Sequence, residues 1–262
     1  MDREKMAKRL EKLKGKVGLY YKNLKTGEEY GYNEEEMFLA ASMIKLPLFM
    51  CMEKLIAEGT LKGSDKLTVR ECDKQPSCGA LLSLTGEFDV DIDSLTRLMI
   101  TISDNTATNM LINHLGMETV KELFAWLGLE KTSINRLLFN DAASAEGIEN
   151  YICPKEIGKL LEMIYRGRFI SPEISKKIEE VLLLQQIRHK IPGYIGRKKK
   201  IANKTGESGD TTHDGAIVFA KTPFILVITS DDTDVPETET FIRQVALELY
   251  VENGGDPEGL CL

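Results

Sequence analysis

The sequence lacks a long apolar run, a regular cysteine pattern and any cluster of histidines. No uninterrupted hydrophobic stretch approaches the ~20 residues that a membrane-spanning helix needs, so no membrane span is predicted. The 5 cysteines are odd in number and irregularly spaced, and the 3 histidines lie far from any cysteine doublet. This distribution predicts reduced thiols and neither a metal nor another cofactor. The cysteines are Cys51, Cys72, Cys78, Cys153 and Cys261.

The chain also lacks an excess of positive charge. It carries 34 Lys and Arg against 41 Asp and Glu, whereas a nucleic-acid partner normally requires clustered basic side chains. Hydrophobic residues at 42% and charged residues at 29% exclude a disordered or fibrous chain and predict a globular protein. The amino-terminal letters MDREKMAKRLEKLKG contain no apolar stretch of the kind found in a secretory signal. We therefore expect a cytoplasmic protein, or an exported one if an export segment precedes this sequence.

Hydrophobic periodicity predicts strands near both ends of the chain and helices between them. Helices are predicted at 2–14, 43–57, 92–102, 105–115, 117–127, 154–166, 172–186 and 236–252, and strands at 17–21, up to about residue 32, 200–205, 215–220 and 223–230. This order predicts an α+β fold in which one antiparallel five-stranded sheet is assembled from both chain ends and flanked by the terminal helices. Residues 1–41 and 200–262 would form a discontinuous sheet domain, and residues 42–199 a helical domain.

The first motif that could carry chemistry is S-x-x-K at Ser42 and Lys45. Residues at i and i+3 share a helix face, so the lysine is expected one turn from the serine hydroxyl. A serine becomes a nucleophile only with a base in hydrogen-bond reach, and lysine can act as that base only if burial or a neighbouring cation lowers its pKa. The bland alternative is a serine at a helix start followed by an exposed lysine.

The second motif is S-D-N at Ser103, Asp104 and Asn105, which opens another predicted helix. These residue types are favoured at helix N-termini, so ordinary capping explains each of them singly. The functional alternative is that Ser103 relays a proton to a leaving group while Asn105 directs its amide at the substrate and at Lys45.

The third motif is K-T-G at Lys204, Thr205 and Gly206, at the end of a predicted strand. Glycine there would let a substrate lie along the strand edge, while the hydroxyl and the ammonium could bind a carboxylate. The same letters occur at 25–27 in a predicted hairpin turn, where they are interpreted as structural. The motif is therefore informative only together with the other two.

Order and spacing give the three motifs their weight. Ser103 follows Ser42 by 61 residues, and Lys204 follows Ser103 by 101 residues. In this order, and on this layout of helices and strands, the chain resembles the penicillin-recognising serine enzymes, and most closely the class A β-lactamases. The resemblance spans nearly the whole chain. It implies the β-lactamase/transpeptidase-like fold, and an acyl-enzyme formed on Ser42 from a β-lactam or a related acyl donor.

The resemblance also implies a role for each matched residue. Lys45 would be the acylation base or help to form it, with Lys204 as the nearby cation, and Ser103 would pass a proton to the departing nitrogen. The backbone N–H groups of Ser42 and Glu207 would form the oxyanion hole. The substrate-binding residues would be Asn105, Lys204, Thr205, Gly206, Glu207 and His213.

One part of the family pattern is missing. Family members that are good lactamases carry a glutamate just after the arginine that opens a loop before a Pro-initiated helix, and this glutamate activates the deacylating water. Here Arg136 matches the opening of the loop, but Leu137 and Leu138 follow it. The carboxylates within the loop are Asp141, Glu146 and Glu149. Each is interpreted first as a solvated charge or a helix-start acid, so deacylation is expected to be slow.

His213 offers a second route for activating water. It follows the Lys204 strand across a turn predicted at 208–212, so antiparallel pairing could bring it to the mouth of the site. A histidine with an ordinary pKa could act there as a general base or replace the family's carboxylate-binding arginine. The alternative is a histidine at a strand start, hydrogen-bonded to the turn.

Three functions remain open on the sequence alone. The first is a serine hydrolase that opens β-lactam amides, the second a penicillin-binding acyl-trap or sensor, and the third a peptidase or esterase acting on another acyl donor. In each case we expect a monomer that takes a small-molecule acyl substrate, without nucleic acid.

Overall fold

The computed structural model describes residues 2–196 and 198–256. Its helices are α1 Arg3–Leu10, α2 Lys45–Ala57, α3 Ile92–Thr101, α4 Asn105–Leu115, α5 Met117–Trp126, α6 Asp141–Ala145, α7 Pro154–Tyr165, α8 Pro172–Leu183, α9 Ile191–Ile195 and α10 Val235–Glu252. Its strands are β1 Lys16–Asn23, β2 Glu29–Tyr32, β3 Phe38–Leu39, β4 Lys66–Val69, β5 Phe88–Asp91, β6 Tyr151–Ile152, β7 Ile201–Ser208, β8 Thr211–Val218 and β9 Phe224–Asp231.

The main sheet joins the two ends of the chain. Its strand order is β2-β1-β9-β8-β7, and every neighbouring pair is antiparallel. The central pairing aligns Leu19 with Ile228, so the first strand lies directly against the last. The predicted α+β fold with a five-stranded antiparallel sheet is therefore confirmed for the described residues. Residues 257–262, which the predicted sheet domain includes, lie outside them.

Both faces of the sheet are covered by helices. Alternate side chains of a strand point to opposite faces, and in β9 both sets are apolar. Leu226 packs in a cluster with α1 and α10, whereas Val227 belongs to the cluster formed with the helical region. This double burial explains why β9 is a nearly continuous apolar run instead of an alternating one.

The helical region is organised around α2. This helix contacts α3, α5, α7 and α8, and almost all of its residues are buried. A helix that is apolar on every side belongs in a protein interior, and α2 is accordingly the axis of the region between residues 42 and 199. The predicted boundaries between this region and the sheet stay a prediction.

Several elements differ from the sequence-based expectation. The short pairs β3–β6 and β4–β5 and the five-residue helices α6 and α9 were not predicted, because so few residues give no periodic pattern. The motif Lys204–Gly206 lies inside β7 instead of at its end, because β7 and β8 continue to a tight turn at Gly209 and Asp210. Gly209 takes a positive φ of 56°, which suits such a turn.

No membrane-spanning helix is predicted from the sequence. Among residues 2–196 and 198–256, no helix combines the length and apolar character that crossing a bilayer requires. The buried helix α2 has 13 residues, which is shorter than a span needs.

A close approach of α7 to the sheet generates a stability prediction. A Cβ added at Gly158 would lie 2.2 Å from Cδ1 of the buried Tyr20 ring. We expect Gly158→Ala to lower the free energy of unfolding by about 1–3 kcal/mol, because overpacking outweighs the ~1 kcal/mol that alanine gains in helix propensity. Urea denaturation measures the change. Lys159→Ala, at the exposed neighbouring position, should stay within about 0.5 kcal/mol of wild type; equal stability of the two variants would contradict the packing argument.

Candidate active site

Ser42 lies in a 3-10 turn, Ala41–Ile44, that runs directly into α2. Side chains three residues apart eclipse each other in a 3-10 helix, so Lys45 stands over the serine. The measured separation of Lys45 Nζ from Ser42 Oγ is 2.9 Å. Ala41 takes a positive φ of 42°, a strained conformation for a residue with a Cβ and one that tends to occur at functional sites.

Lys45 is fully buried and surrounded by oxygen atoms. Besides Ser42 Oγ, its Nζ lies 2.7 Å from Asn105 Oδ1, 2.8 Å from the Ser103 carbonyl oxygen and 3.0 Å from Ser103 Oγ. Burial, and then the nearby Lys204 ammonium, lower the pKa of Lys45 well below its usual value.

These contacts suit a neutral amine at Lys45. The Asn105 and Ser103 carbonyl oxygens can only accept, so they take the two N–H protons of a neutral lysine. Its lone pair then remains for a hydroxyl, and the Ser42 hydroxyl can donate to it. The arrangement therefore allows Lys45 to receive the proton of Ser42, which is the step that makes a serine nucleophilic.

Ser103 links the two lysines. Its Oγ lies 3.0 Å from Lys45 Nζ and 3.1 Å from Lys204 Nζ, and it adopts a positive φ of 58°. Lys204 is also fully buried, and burial is the largest cause that lowers its pKa to about 7. Two ammonium groups this close repel each other, so a charged Lys204 favours the neutral form of Lys45.

The start of α4 fixes Ser103 and Asn105. The buried Asp104 caps this helix, accepting from the Ala107 N–H at 2.9 Å, and also accepts from the N–H groups of Ala80 and Leu81. The capping interpretation therefore holds for Asp104. Asn105 instead directs its Oδ1 at Lys45 and donates through Nδ2 to the Pro76 carbonyl at 2.9 Å, as the functional interpretation requires for the lysine contact.

Strand β7 brings the third motif against the serine turn. A Cβ on Gly206 would lie 3.1 Å from the Met43 nitrogen, a tight contact that glycine avoids. Lys204 Nζ donates to the Thr205 carbonyl at 2.7 Å, and Thr205 is buried within the strand. Glu207 follows at the strand edge, and both it and Ser42 line one cavity.

This cavity has a volume of about 530 Å³. Besides Ser42 and Glu207, it is lined by Asn105 from α4 and by Leu138 and Asp141 from the loop that starts at Arg136. Helical segments, the loop and β7 thus converge on one opening. A cleft of this size fits a small-molecule ligand.

The loop that starts at Arg136 is closed at its neck by polar contacts. Arg136 donates from Nε and Nη2 to Glu149 Oε2 at 2.9 and 2.6 Å, and Ser144 donates to Glu149 Oε1. Burial opposes ionisation of Glu149, but these bonds outweigh it and lower its pKa. Because both carboxylate oxygens are engaged, Glu149 is a structural anchor of the loop.

Leu138, one of the two leucines found where a glutamate was expected just after Arg136, lines the cavity. Asn109 holds its backbone from both sides, accepting from the Leu138 N–H and donating to the Leu138 carbonyl, each at 2.9 Å. Asp141 is exposed and lines the same cavity, whereas Glu146 is exposed and is not among its lining residues in the described chain. Of the three loop carboxylates, Asp141 therefore remains the candidate base.

His213 is not at the mouth of the site, and this expectation was wrong. The side chain is fully buried in β8, opposite Gly206. Its Nε2 lies 2.7 Å from the Leu39 carbonyl oxygen, and its Nδ1 accepts from the Ser230 N–H at 3.1 Å. Burial lowers its pKa to about 4. The ring therefore connects β8 to Leu39 and Ser230 by hydrogen bonds. The predicted turn at 208–212 is mostly strand, which places His213 inside β8 instead of at the mouth of the site.

Lys190 is the buried cation that the sequence analysis missed, since no motif surrounds it. Its side chain is fully buried, and its Nζ lies 3.0 Å from Glu207 Oε1. Within the described part of the chain, one group of side chains is close enough together to hold a metal ion. Its members are His189, Glu207 and Glu239. The Lys190 ammonium already pairs with this group, at 3.0 Å from one carboxylate and 3.9 Å from the other.

A second missed residue is Cys78. It lines the cavity, and its carbonyl accepts from the Asn105 N–H at 3.1 Å. The cysteines Cys51, Cys72, Cys78 and Cys153 are all unpaired, as predicted for reduced thiols, and Cys261 lies outside the described residues.

Comparisons with known proteins identify a family that matches this chain. The sequence profile of the Beta-lactamase enzyme family matches residues 3–252. A β-lactamase from Rhodobacter capsulatus is 29% identical over 256 residues, which cover 94% of this chain and 84% of that relative.

Two solved structures have the same fold over nearly their full length. A β-lactamase from Sphaerobacter thermophilus superimposes with a TM-score of 0.88 at 25% identity, covering 97% of this chain and 98% of its own. PBP-A superimposes with a TM-score of 0.86 at 27% identity, covering 95% and 94%. The family match covers almost the whole described sequence, and it shows that the chain belongs to the β-lactamase enzyme family.

Proposed function

We propose that this protein is a serine hydrolase of the class A β-lactamase type that is acylated on Ser42 by a β-lactam and releases the product slowly. One observation carries the proposal. Ser42 lines an open cavity, and contacts of 2.9 and 3.0 Å link its hydroxyl through the Lys45 amine to the Ser103 hydroxyl.

Acylation follows from these contacts. Lys45, neutral because of burial and of Lys204, takes the proton of Ser42 as its Oγ attacks the lactam carbonyl carbon. The N–H groups of Ser42 and Glu207 stabilise the negative charge that forms on the carbonyl oxygen. The carbon–nitrogen bond then breaks, and Ser103, which touches both lysines, passes a proton to the departing nitrogen.

The ligand is oriented by the edge of β7 and by α4. Lys204 and Thr205 supply a cation and a hydroxyl for the carboxylate of a β-lactam. Asn105 has one amide proton left after its bond to Pro76 and can donate it to an acyl side chain. Gly206 lets β7 lie close to the turn that carries Ser42, so the strand edge at Glu207 borders the serine.

Slow release of the acyl group follows from the loop. Leu138 presents an apolar side chain to the cavity, and Glu149 is engaged by Arg136 and Ser144. Asp141 is the remaining loop carboxylate among the residues that line the cavity. A leucine-to-glutamate variant of PBP-A has been solved as an acyl-enzyme complex with penicillin-G, which supports formation of such an adduct by a protein of this fold. A penicillin-binding acyl-trap is thus the limiting form of the same proposal.

Removing the nucleophile tests the proposal. We expect Ser42→Ala to lose the covalent penicillin adduct and to slow the opening of a chromogenic cephalosporin by about 10³-fold or more, because no other group replaces the attacking hydroxyl. Intact-mass spectrometry and absorbance measure the two effects. Ser83→Ala, at an exposed serine outside the cavity, is the control. A wild-type protein that forms no adduct with β-lactams but hydrolyses esters through Ser42 would favour the third function.

Supplying a carboxylate to the loop tests the slow deacylation. We expect Leu138→Glu to shorten the lifetime of the acyl-enzyme by roughly 10²-fold, within the range that a positioned general base contributes. The decay of the adduct after removal of free penicillin is followed by intact mass. Leu137→Glu is the matched control, since that side chain does not line the cavity in the described structure. Equal decay of the adduct in both variants would contradict the proposal that Leu138 is the residue that makes deacylation slow.

The pKa of Lys204 predicts a pH dependence. Its ammonium is charged below about pH 7 and neutral above, so the acylation rate should fall as pH rises through that value. Lys204→Arg retains its charge to a much higher pH, so the fall should move upward in that variant. Stopped-flow measurement of the acylation rate at several pH values locates this fall in both proteins. Identical high-pH limbs in the two proteins would exclude Lys204 as the titrating group.

A further inference from the structure

The buried amine of Lys190 contacts the strand that borders the candidate site. Lys190 immediately precedes α9 and is completely buried. Its Nζ donates to the Gly206 carbonyl at 3.0 Å and to the His213 carbonyl at 3.1 Å, and it pairs with Glu207 Oε1 at 3.0 Å. These three partners use its three protons. Lys190 therefore contacts the backbone of β7 and is not among the described residues that line the cavity.

The Gly206 carbonyl belongs to a peptide unit with a second role. The same planar unit ends in the Glu207 N–H, which is the expected second donor of the oxyanion hole. In a trans peptide of an extended strand, the carbonyl and the following N–H point in opposite directions. The carbonyl end faces Lys190, and β7 is the edge strand whose Glu207 lines the cavity.

We propose that the Lys190 ammonium polarises the Gly206–Glu207 peptide and thereby strengthens its N–H as a hydrogen-bond donor to the oxyanion. A cation at the carbonyl oxygen draws electron density along the conjugated peptide and leaves the N–H more positive. Hydrogen bonds in such chains reinforce one another in a low-dielectric interior. Lys190 is thus a positioning residue for the proposed acylation, on which this inference rests.

The surrounding charges keep the ammonium at the carbonyl. Glu207 and Glu239 lie on one side of it, and His189 Nε2 lies 3.3 Å from both carboxylates. The hydrogen bonds to these carboxylates raise the pKa of His189 to about 9, and the His189 bond is the largest cause that lowers the pKa of Glu207 to about 2. The network of opposite charges anchors Lys190 without placing a free cation in the cavity.

The experiment compares wild type with Lys190→Met, which keeps the length of the side chain and removes its charge and its donors. We expect penicillin acylation, followed by intact mass, to slow by about 2- to 8-fold, the fraction of one oxyanion donor that cooperative polarisation supplies. The acyl-enzyme ester carbonyl, labelled with ¹³C, should absorb at a higher infrared frequency than in wild type, because a weaker donor polarises it less. Lys190→Arg should restore both readouts toward wild type.

The infrared frequency separates polarisation from a general structural effect. Lys54→Met, at another buried lysine remote from the motifs, should leave the frequency unchanged. A Lys190→Met protein that acylates at the wild-type rate, or more slowly with an unchanged frequency, would overturn the inference. If that variant does not fold, Lys190→Gln is measured against the same criteria. Absence of any adduct in wild type would instead refute the proposed function itself.

Discussion

The amines of Lys45 and Lys204 both lie within hydrogen-bond distance of one hydroxyl, that of Ser103, and the chemistry of the site depends on this shared contact. Both lysines are fully buried, and burying two ammonium groups side by side is costly. Loss of one proton relieves that cost. Burial and the neighbouring Lys204 both lower the pKa of the amine next to Ser42, and the oxygen atoms around Lys45 can accommodate its neutral form.

The sheet supplies the rigidity that this contact needs. Lys204 comes from β7, Lys45 from α2 and Ser103 from the turn before α4, so none of the three is held by its neighbours in sequence. Gly206 lets β7 approach the turn that carries Ser42, and the buried His213 behind it ties β8 to Leu39 and Ser230. A side chain expected to take part in the chemistry is therefore part of the frame that positions it.

The loop that starts at Arg136 is held in place by polar contacts. Its neck is closed by Arg136, Glu149 and Asn150, and its backbone is fastened to α4 through Asn109. The polar contacts that hold the loop do not involve the side chain of Leu138, which lines the cavity. Under the proposed function, Ser42, Lys45 and Ser103 would form the acyl-enzyme, whereas the loop presents the apolar Leu138 to the cavity and has no glutamate directly after Arg136. This difference is the basis for proposing slow release of the acyl group.

The sequence alone determined the α+β fold, most of the helices and strands, and the residues of the three motifs, because hydrophobic periodicity and motif order are local or ordered along the chain. It could not determine the fate of His213, since whether a histidine is buried or open depends on the exact strand register. It gave no sign of Lys190, because a cation buried behind a strand has no sequence pattern. Only the tertiary structure decided these points and showed that Asp141 and Glu149, but not Glu146, line the cavity, since such contacts depend on distances between segments far apart in sequence.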